Sequence, residues 1–375
     1  MKKILVVGTG PVGSAVIDHL KECKQASIHV SEFTSKNWVH QNAFGNDIPF
    51  YRLGEGGMRG AWHRVSDLSK ATREEFFCEL RSIVVKKFGV TKAVLNAANA
   101  CDEVEFVPYF PRAFQNFGTR LRGSIVRKPI VRRIELRSDI SEVIFDGGEK
   151  ANYDAIFVCA GIFGNTKILD TSGLAEKTGF LGDHLVVSID EKLSPPKYHP
   201  VFQRLNTGFL RRYETRGGFK VSLRPRGKGE KNSFIYSVNS LELIAKLARQ
   251  FDTSSFKQAF HLRYGFRTNV RSWQRFIQVP QKNIYVWNGE KIVLNSDAVA
   301  DLIARLEREF GKQKFSIKSG IHYWGSVTPL ADQEQLARRN IFILGGADWQ
   351  SAPAHHFTFL NVLRALRCAN QVMQS

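Results

Sequence analysis

Two adjacent histidines, His355 and His356, stand at the mouth of a helical pattern near the end of the chain. From Phe357 onward the apolar residues Phe359, Val362, Leu363, Leu366, Ala369 and Met373 recur at helical spacing, and Pro353 precedes them where proline is tolerated. Imidazoles at a helix N-terminus lie beside unpaired N–H groups and the positive end of the helix dipole, which disfavours the charged ring. A neutral imidazole accepts a proton near pH 7. Proton transfer is therefore the chemistry these residues offer, once a cofactor or partner supplies the rest.

A cofactor signature lies at the opposite end. Gly8-Thr9-Gly10-Pro11-Val12-Gly13 fits G-x-G-x-x-G between an apolar strand and a helical stretch reaching about Lys24. Gly8, Gly10 and Gly13 allow a tight turn, close approach of a pyrophosphate to the backbone, and packing of helix on strand. The phosphates would sit on the helix N-terminus. Glu32 follows 19 residues after Gly13, at the end of a second strand read in "SIHVSEF", where an acid can bind ribose hydroxyls. That carboxylate would repel a 2′-phosphate, which disfavours NADP and leaves FAD and NAD open. A glycine-tolerant turn in some other α/β fold is the plainer reading of the same residues.

The elements that must hold these groups follow from pattern. Residues near 36–70 read as a glycine- and aromatic-rich loop, followed by a charged helix over about 73–87. Between Ile125 and Ala160 the strands "IVRRIELR", "SEVIFD" and "YDAIFVCAG" read as a three-strand meander, with turns at Ser138-Asp139 and Gly147-Gly148. After Pro195-Pro196 the composition shifts to alternating residues and many arginines, with helices expected at Ser240–Gln250 and Ser296–Phe310. "NIFILGGA" and the final helix repeat strand, glycine turn and helix. The fold class is therefore α/β: a Rossmann-like dinucleotide-binding domain over 1–190 and 319–375, and a smaller sheet-containing substrate (cap) domain over 191–318.

Composition narrows the class. A chain of 375 residues with 43% hydrophobic content can bury a large core, and no stretch approaches the roughly 20 apolar residues that span a bilayer. The five cysteines are scattered without a C-x-x-C pair, which points to reduced thiols in a cytoplasmic protein and to no metal site. A net charge of +19 favours anionic partners: phosphorylated or carboxylated substrates, nucleic acid, or the inner face of an acidic membrane. No pattern indicates specific reading of nucleic acid.

Several motifs together resemble the glucose–methanol–choline (GMC) family of FAD-dependent oxidoreductases. "YDAIFVCAGIFGNTKILDTSGL" resembles that family's strand, A-G turn and L-x-S-G segment, and "GIHYWGSV" resembles its H-x-x-G-T motif, with His322, Gly325 and Ser326 in register. "NIFILGGADWQSAPAHHFTFLNVLRALRCAN" is similar to its closing segment, and "EGGMRGAWHRV" to the early G-G loop of its pyranose-oxidase branch. The resemblance implies bound FAD, with Gly57, Met58, Trp62, Ala160, Gly161, Gly345 and Gly346 around it and the backbone at Val131 against the adenine. It implies that His322 and His356 form the catalytic pair, with His355 a neighbour at the substrate. Some members attach flavin through a histidine where this chain has Ala61, so the FAD is expected to be non-covalent.

Oxidising an alcohol needs a base for the O–H proton and an acceptor for the C–H hydride; flavin is the acceptor and imidazole suits the base. A second imidazole can stabilise the developing alkoxide. Read without the resemblance, His322 is a buried histidine satisfying a strand-end carbonyl. Trp324 either lines the substrate pocket or packs in the core. Arg263, Arg267, Arg271 and Arg275 recur every four residues as a solvated face or as an anion-binding rim, with Arg267 and Arg271 at the substrate. The expected substrate is a small, polar, sugar-like hydroxylated molecule, anionic or linked to a nucleotide or lipid; the electron acceptor is not specified. The rival readings are an NAD-dependent dehydrogenase, another flavoenzyme of the amine-oxidase or monooxygenase type, and a non-catalytic basic protein binding anions or membrane surface.

Overall fold

The computed structural model describes residues 1–23, 25–32, 66–69, 74–79, 103–106, 125–137, 141–175, 179–189, 203–205, 208–210, 214–216, 219–226, 272–287, 292–320, 322–325, 330–346 and 358–375. The chain opens with β1 (Lys2–Val7), α1 (Pro11–Glu22) and β2 (Ala26–Ser31), then β3 (Ser66–Ser69), α2 (Phe77–Glu79) and β4 (Glu103–Phe106). Next come β5 (Ile125–Lys128), β6 (Val131–Leu136), β7 (Ser141–Phe145), β8 (Lys150–Asn152), β9 (Ala155–Val158) and α3 (Gly161–Thr171). Strands β10 (Gly179–Ile189), β11 (Gln203–Leu205), β12 (Gly208–Leu210), β13 (Glu214–Arg216) and β14 (Phe219–Arg226) follow. The last elements are β15 (Ser272–Trp287), β16 (Ile292–Leu294), α4 (Ser296–Phe310), β17 (Phe315–Ser319), α5 (Leu330–Arg338), β18 (Ile341–Ile343) and α6 (Thr358–Gln374).

A parallel sheet in the order β18-β9-β1-β2-β5 carries the site. Ile4–Val7 of β1, β9 and β18 are unbroken apolar runs because both faces there are covered. Alternation sorts the side chains: Ile4, Val6, Phe157 and Phe342 face one core with α1 and α6, supplied by Val16, Leu20, Ala365 and Ala369. Leu5, Val7, Ile156 and Val158 face the other, formed by Val131, Ile134, Val143 and Phe145 of a three-strand meander and by Phe163 and Leu169 of α3. The sheet is thus sandwiched between helices and strands.

The second core runs on into a six-stranded sheet in the order β13-β14-β15-β10-β17, with β16 on β15. Leu185, Val187, Ile277 and Val279 of that sheet belong to it, covered by Leu302 and Leu306 of α4. Asn295 starts α4 by accepting the N–H groups of Asp297 and Ala298, and Gly311 ends it.

The helix expected over Ser296–Phe310 and the final helix form as read. The meander differs: its strands are β6, β7 and the short β8, while "AIFV" is β9 of the parallel sheet. Four consecutive buried residues suit a central strand with two covered faces and not a meander with one face open. The expected loop over 36–70 ends in a strand, β3, paired antiparallel with β4. Within 74–79 of the expected helix over 73–87, the chain is helical except for a turn at Phe76, and the remainder lies outside the described residues, as does Ser240–Gln250. Arg275 lies in β15 over the Phe310 ring, and Arg263, Arg267 and Arg271 lie outside the described residues. No helix among the described residues is long and apolar enough to cross a membrane.

Phe157 is fully buried in β9, an inner strand of the parallel sheet, and stacks on Phe342, with 5.2 Å between ring centroids. Phe157→Ala is expected to cost about 3–5 kcal/mol in urea unfolding, and Phe157→Leu clearly less.

Candidate active site

The chain proceeds from β1 to β2 and β5 on one side and returns through β9 and β18 on the other. The crevice of such a sheet opens where the order reverses, here between the C-terminal ends of β1 and β9. The glycine turn sits there. Gly8 has φ +92°, and a Cβ on it would stand 2.6 Å from the Cys159 carbonyl oxygen. A Cβ on Gly13 would stand 2.0 Å from the Gly8 carbonyl oxygen, so α1 reaches its strand only because that residue is glycine. Gly10 differs, since a Cβ there would meet nothing within 4 Å. Its bare backbone faces open space at the N-terminus of α1, whose first turn holds no acid. That is a cradle for a phosphate group.

Glu32 follows β2 beside this turn, and its Oε2 accepts the Thr9 N–H at 2.5 Å and the Thr9 hydroxyl at 2.6 Å. Ser31 joins the meander to the strand end: its Oγ donates to the Pro129 carbonyl at 2.7 Å and accepts the Val131 N–H at 3.1 Å. On the other side, Ala160 and Gly161 (φ +71°) open α3. Buried Asn165 ties them to β18, accepting the Ala160 N–H at 2.8 Å and donating to the carbonyls of Val158 at 3.1 Å and Leu344 at 2.9 Å. Sequence reading passed over Asn165; its signal is an amide inside the apolar helix "GIFGNTKIL".

The glycine turn after β18 carries the His322 segment. The Gly325 N–H donates to the Gly346 carbonyl at 2.9 Å, and a Cβ on Gly346 would stand 2.2 Å from the Tyr323 carbonyl oxygen. Gly345 has φ +93°. Tyr323 packs on Phe163 of α3, with ring centroids 4.9 Å apart. Trp324 is buried, pairs with Gly182 through hydrogen bonds of 2.7 and 3.0 Å, and lays its indole where a Gly182 Cβ would be. Its Nε1 has no hydrogen-bond partner among the described residues.

Beneath His322 lies a polar cluster unforeseen in the sequence. Asp183 of β10 is fully buried, and its Oδ1 accepts the His322 N–H at 3.1 Å while Oδ2 accepts the Ser319 hydroxyl at 2.5 Å. Ser319 Oγ also lies 3.2 Å from the Tyr323 hydroxyl, and Tyr285 hydrogen-bonds the same carboxyl. Burial pushes the Asp183 carboxyl up to about 7, against the pull of those hydrogen bonds. Burial, reinforced by the Asp183 charge, also raises the Tyr285 and Tyr323 hydroxyls. His184 contacts His322, with ring centroids 6.0 Å apart at 74° and Nδ1 3.4 Å from the His322 carbonyl. The legible signal was an acid and a histidine inside the apolar strand "FLGDHLVVSI".

Gly8, Gly10, Gly13, Glu32, Val131, Ala160, Gly161, Gly345 and Gly346 thus gather at the C-terminal end of the parallel sheet, and His322 and Trp324 lie on the segment that Gly325 joins to Gly346. Gly57, Met58, Trp62, Arg267, Arg271, His355 and His356 lie outside the described residues.

This architecture, a parallel sheet between helices and a meander with a separate antiparallel sheet, is the fold of FAD-binding oxidoreductases. Solved structures similar to the chain include pyridoxine 4-oxidase from Mesorbium loti, with a TM-score of 0.51 and 11% identity over 100% of both chains. An FAD-dependent oxidoreductase from Chaetomium thermophilum has the same TM-score, 0.51, and 11% identity over 100% of this chain and 99% of that one. At such identity the likeness is one of fold. No protein-family model matches the chain, and no curated protein does.

Asp183 carries a measurable pH signature. Its folded value of about 7 lies above an unfolded value of 3.8, so the native state binds the extra proton between the two. The stability this contributes is full below the lower value and is lost as pH rises through the upper one. Asp183→Asn, permanently neutral, should gain stability relative to wild type as pH rises from about 4 to 7, by roughly 1 kcal/mol per pH unit in urea unfolding.

Proposed function

We propose that the protein is an FAD-dependent oxidoreductase that oxidises a hydroxyl group of a small polar substrate, with the flavin held non-covalently. The observation that supports this reading is the hydrogen bond from the Gly325 N–H to the Gly346 carbonyl, which ties the segment that carries His322 to the glycine turn after β18. The residues present fit the cofactor. The open backbone at Gly10 and the N-terminus of α1 would take the pyrophosphate, and Glu32 a ribose diol, leaving its Thr9 contacts. The backbone at Val131 would face the adenine, and Ala160, Gly161, Gly345 and Gly346 would line the remainder. Bound FAD supplies the acceptor for a hydride.

The chain's own part is to orient the alcohol and move its proton. His322 and His356 are the proposed pair, one accepting the O–H proton and the other hydrogen-bonding the oxygen as charge develops on it. The resemblance of "GIHYWGSV" and the closing segment to GMC oxidoreductases supports that assignment. Residues 1–190 and 319–375 are proposed to hold the cofactor and 191–318 the substrate. The net charge of +19 supports an anionic substrate or carrier, with Arg267 and Arg271 at its mouth. A nicotinamide dehydrogenase is a weaker reading, because doubly wound dinucleotide sheets cover both faces with helices and here a meander shares one face with α3.

The purified protein should be yellow and should release its flavin to the supernatant on acid precipitation; a colourless protein that takes up no added FAD would end this reading. Gly13→Ala should abolish FAD uptake, since its Cβ meets the Gly8 carbonyl at 2.0 Å. In a screen of neutral and phosphorylated sugars and alcohols, His322→Ala should keep FAD while slowing its anaerobic reduction roughly 10²–10⁴-fold.

A further inference from the structure

We propose that Asp183 is a positioning residue for His322: by holding the Ser319 hydroxyl and the His322 N–H at once, its carboxyl sets the main chain that carries the imidazole to the substrate. The inference rests on the proposed role of His322 and adds a residue to it. Asp183 bridges both ends of the short connection from Ser319, the last residue of β17, to His322. Consecutive residues of β10 engage both backbone polar groups of His322, Asp183 its N–H and the His184 Nδ1 its carbonyl. Gly182 adds the two hydrogen bonds to Trp324 two residues on.

The connection lies so close to β10 that a Cβ on Gly320 would stand 1.9 Å from the His184 carbonyl oxygen. Only glycine lets the turn descend far enough for one carboxyl to reach both partners. A fully buried carboxyl inside an apolar strand is costly unless its oxygens are used, and here Ser319, Tyr285 and two backbone N–H groups use them. The charged and titratable groups around it are His184 on its own strand, Tyr285 of β15, and His322 and Tyr323 above. Its register partner on β15 is Gln281, whose Oε1 takes the Arg305 guanidinium of α4 at 3.2 Å.

A base must lie in line with the bond it helps to break, and a shift of about 1 Å can cost about 100-fold in rate. A clamp on both backbone groups of His322 removes that freedom before substrate arrives.

The test uses the full-length protein as purified, labelled with ¹⁵N-histidine, and the His322 signals are identified by their loss in His322→Ala. In Asp183→Ala the His322 backbone amide should exchange with solvent roughly 10-fold faster or more. Its ring signals should move further than those of histidines remote from the cluster, with bound FAD unchanged. Asp183→Asn, which keeps an acceptor for the N–H, should restore both. Should Asp183→Ala not fold, Ser319→Ala, which frees one carboxyl oxygen, is expected to move the same ring signals in the same direction. Ring signals that stay at their wild-type positions, or a displacement shared equally by every histidine, would overturn the proposal. Asp183→Asn behaving like the alanine variant would do the same. A protein without FAD would remove the functional reading, while the amide and ring signals would still decide whether Asp183 holds His322.

Discussion

Everything at the C-terminal end of the parallel sheet depends on backbone meeting backbone. Helix α1 starts where it does because Gly13 lies against the Gly8 carbonyl, and Gly8 itself lies against Cys159 and Ala160 at the end of β9. A methyl group at either position would push the helix or the neighbouring strand away. The same constraint recurs at Gly346 under the Tyr323 carbonyl and at Gly320 under that of His184. Close approach without side chains lets these segments converge, and it leaves the open backbone of Gly10 where a phosphate would sit.

Around these contacts, buried polar side chains stitch together segments that hydrophobic packing alone would leave free to slide. Asn165 satisfies groups on β9 and β18, Ser31 fastens β2 to the meander, and Asp183 fastens β10 to the His322 segment. Each uses several hydrogen bonds, as a group taken out of water must. Apolar burial supplies the driving force for the two cores, and these directional contacts select one arrangement of the strand ends. The site is the place where both meet: apolar sheet below, satisfied polar groups at the rim.

The fold also joins two kinds of surface in one polypeptide. The parallel sheet offers helix N-termini and glycine turns, which suit a dinucleotide. The antiparallel sheet offers a strand, β10, that runs beside β17 and carries Asp183 and His184 to the His322 segment. Because Leu185, Val187, Ile156 and Val158 share one core, the two sheets are packed as a unit.

Local pattern in the sequence determined much of this. The glycine spacing, the strand before it and the acid after it predicted β1, α1, β2 and Glu32, because a tight turn, a helix start and a strand end are properties of neighbouring residues. Helical periodicity likewise marked α4 and α6. Three things were decided only in the tertiary structure. "AIFV" became a parallel strand and not part of the meander, since which sheet covers its two faces depends on segments far along the chain. His184 found its partner in His322, 138 residues away. Asp183, unremarkable in its strand, became the acceptor for Ser319 and His322. Spacing along a chain encodes what a residue does to its own helix or strand; it does not encode which distant polar group will be buried against it.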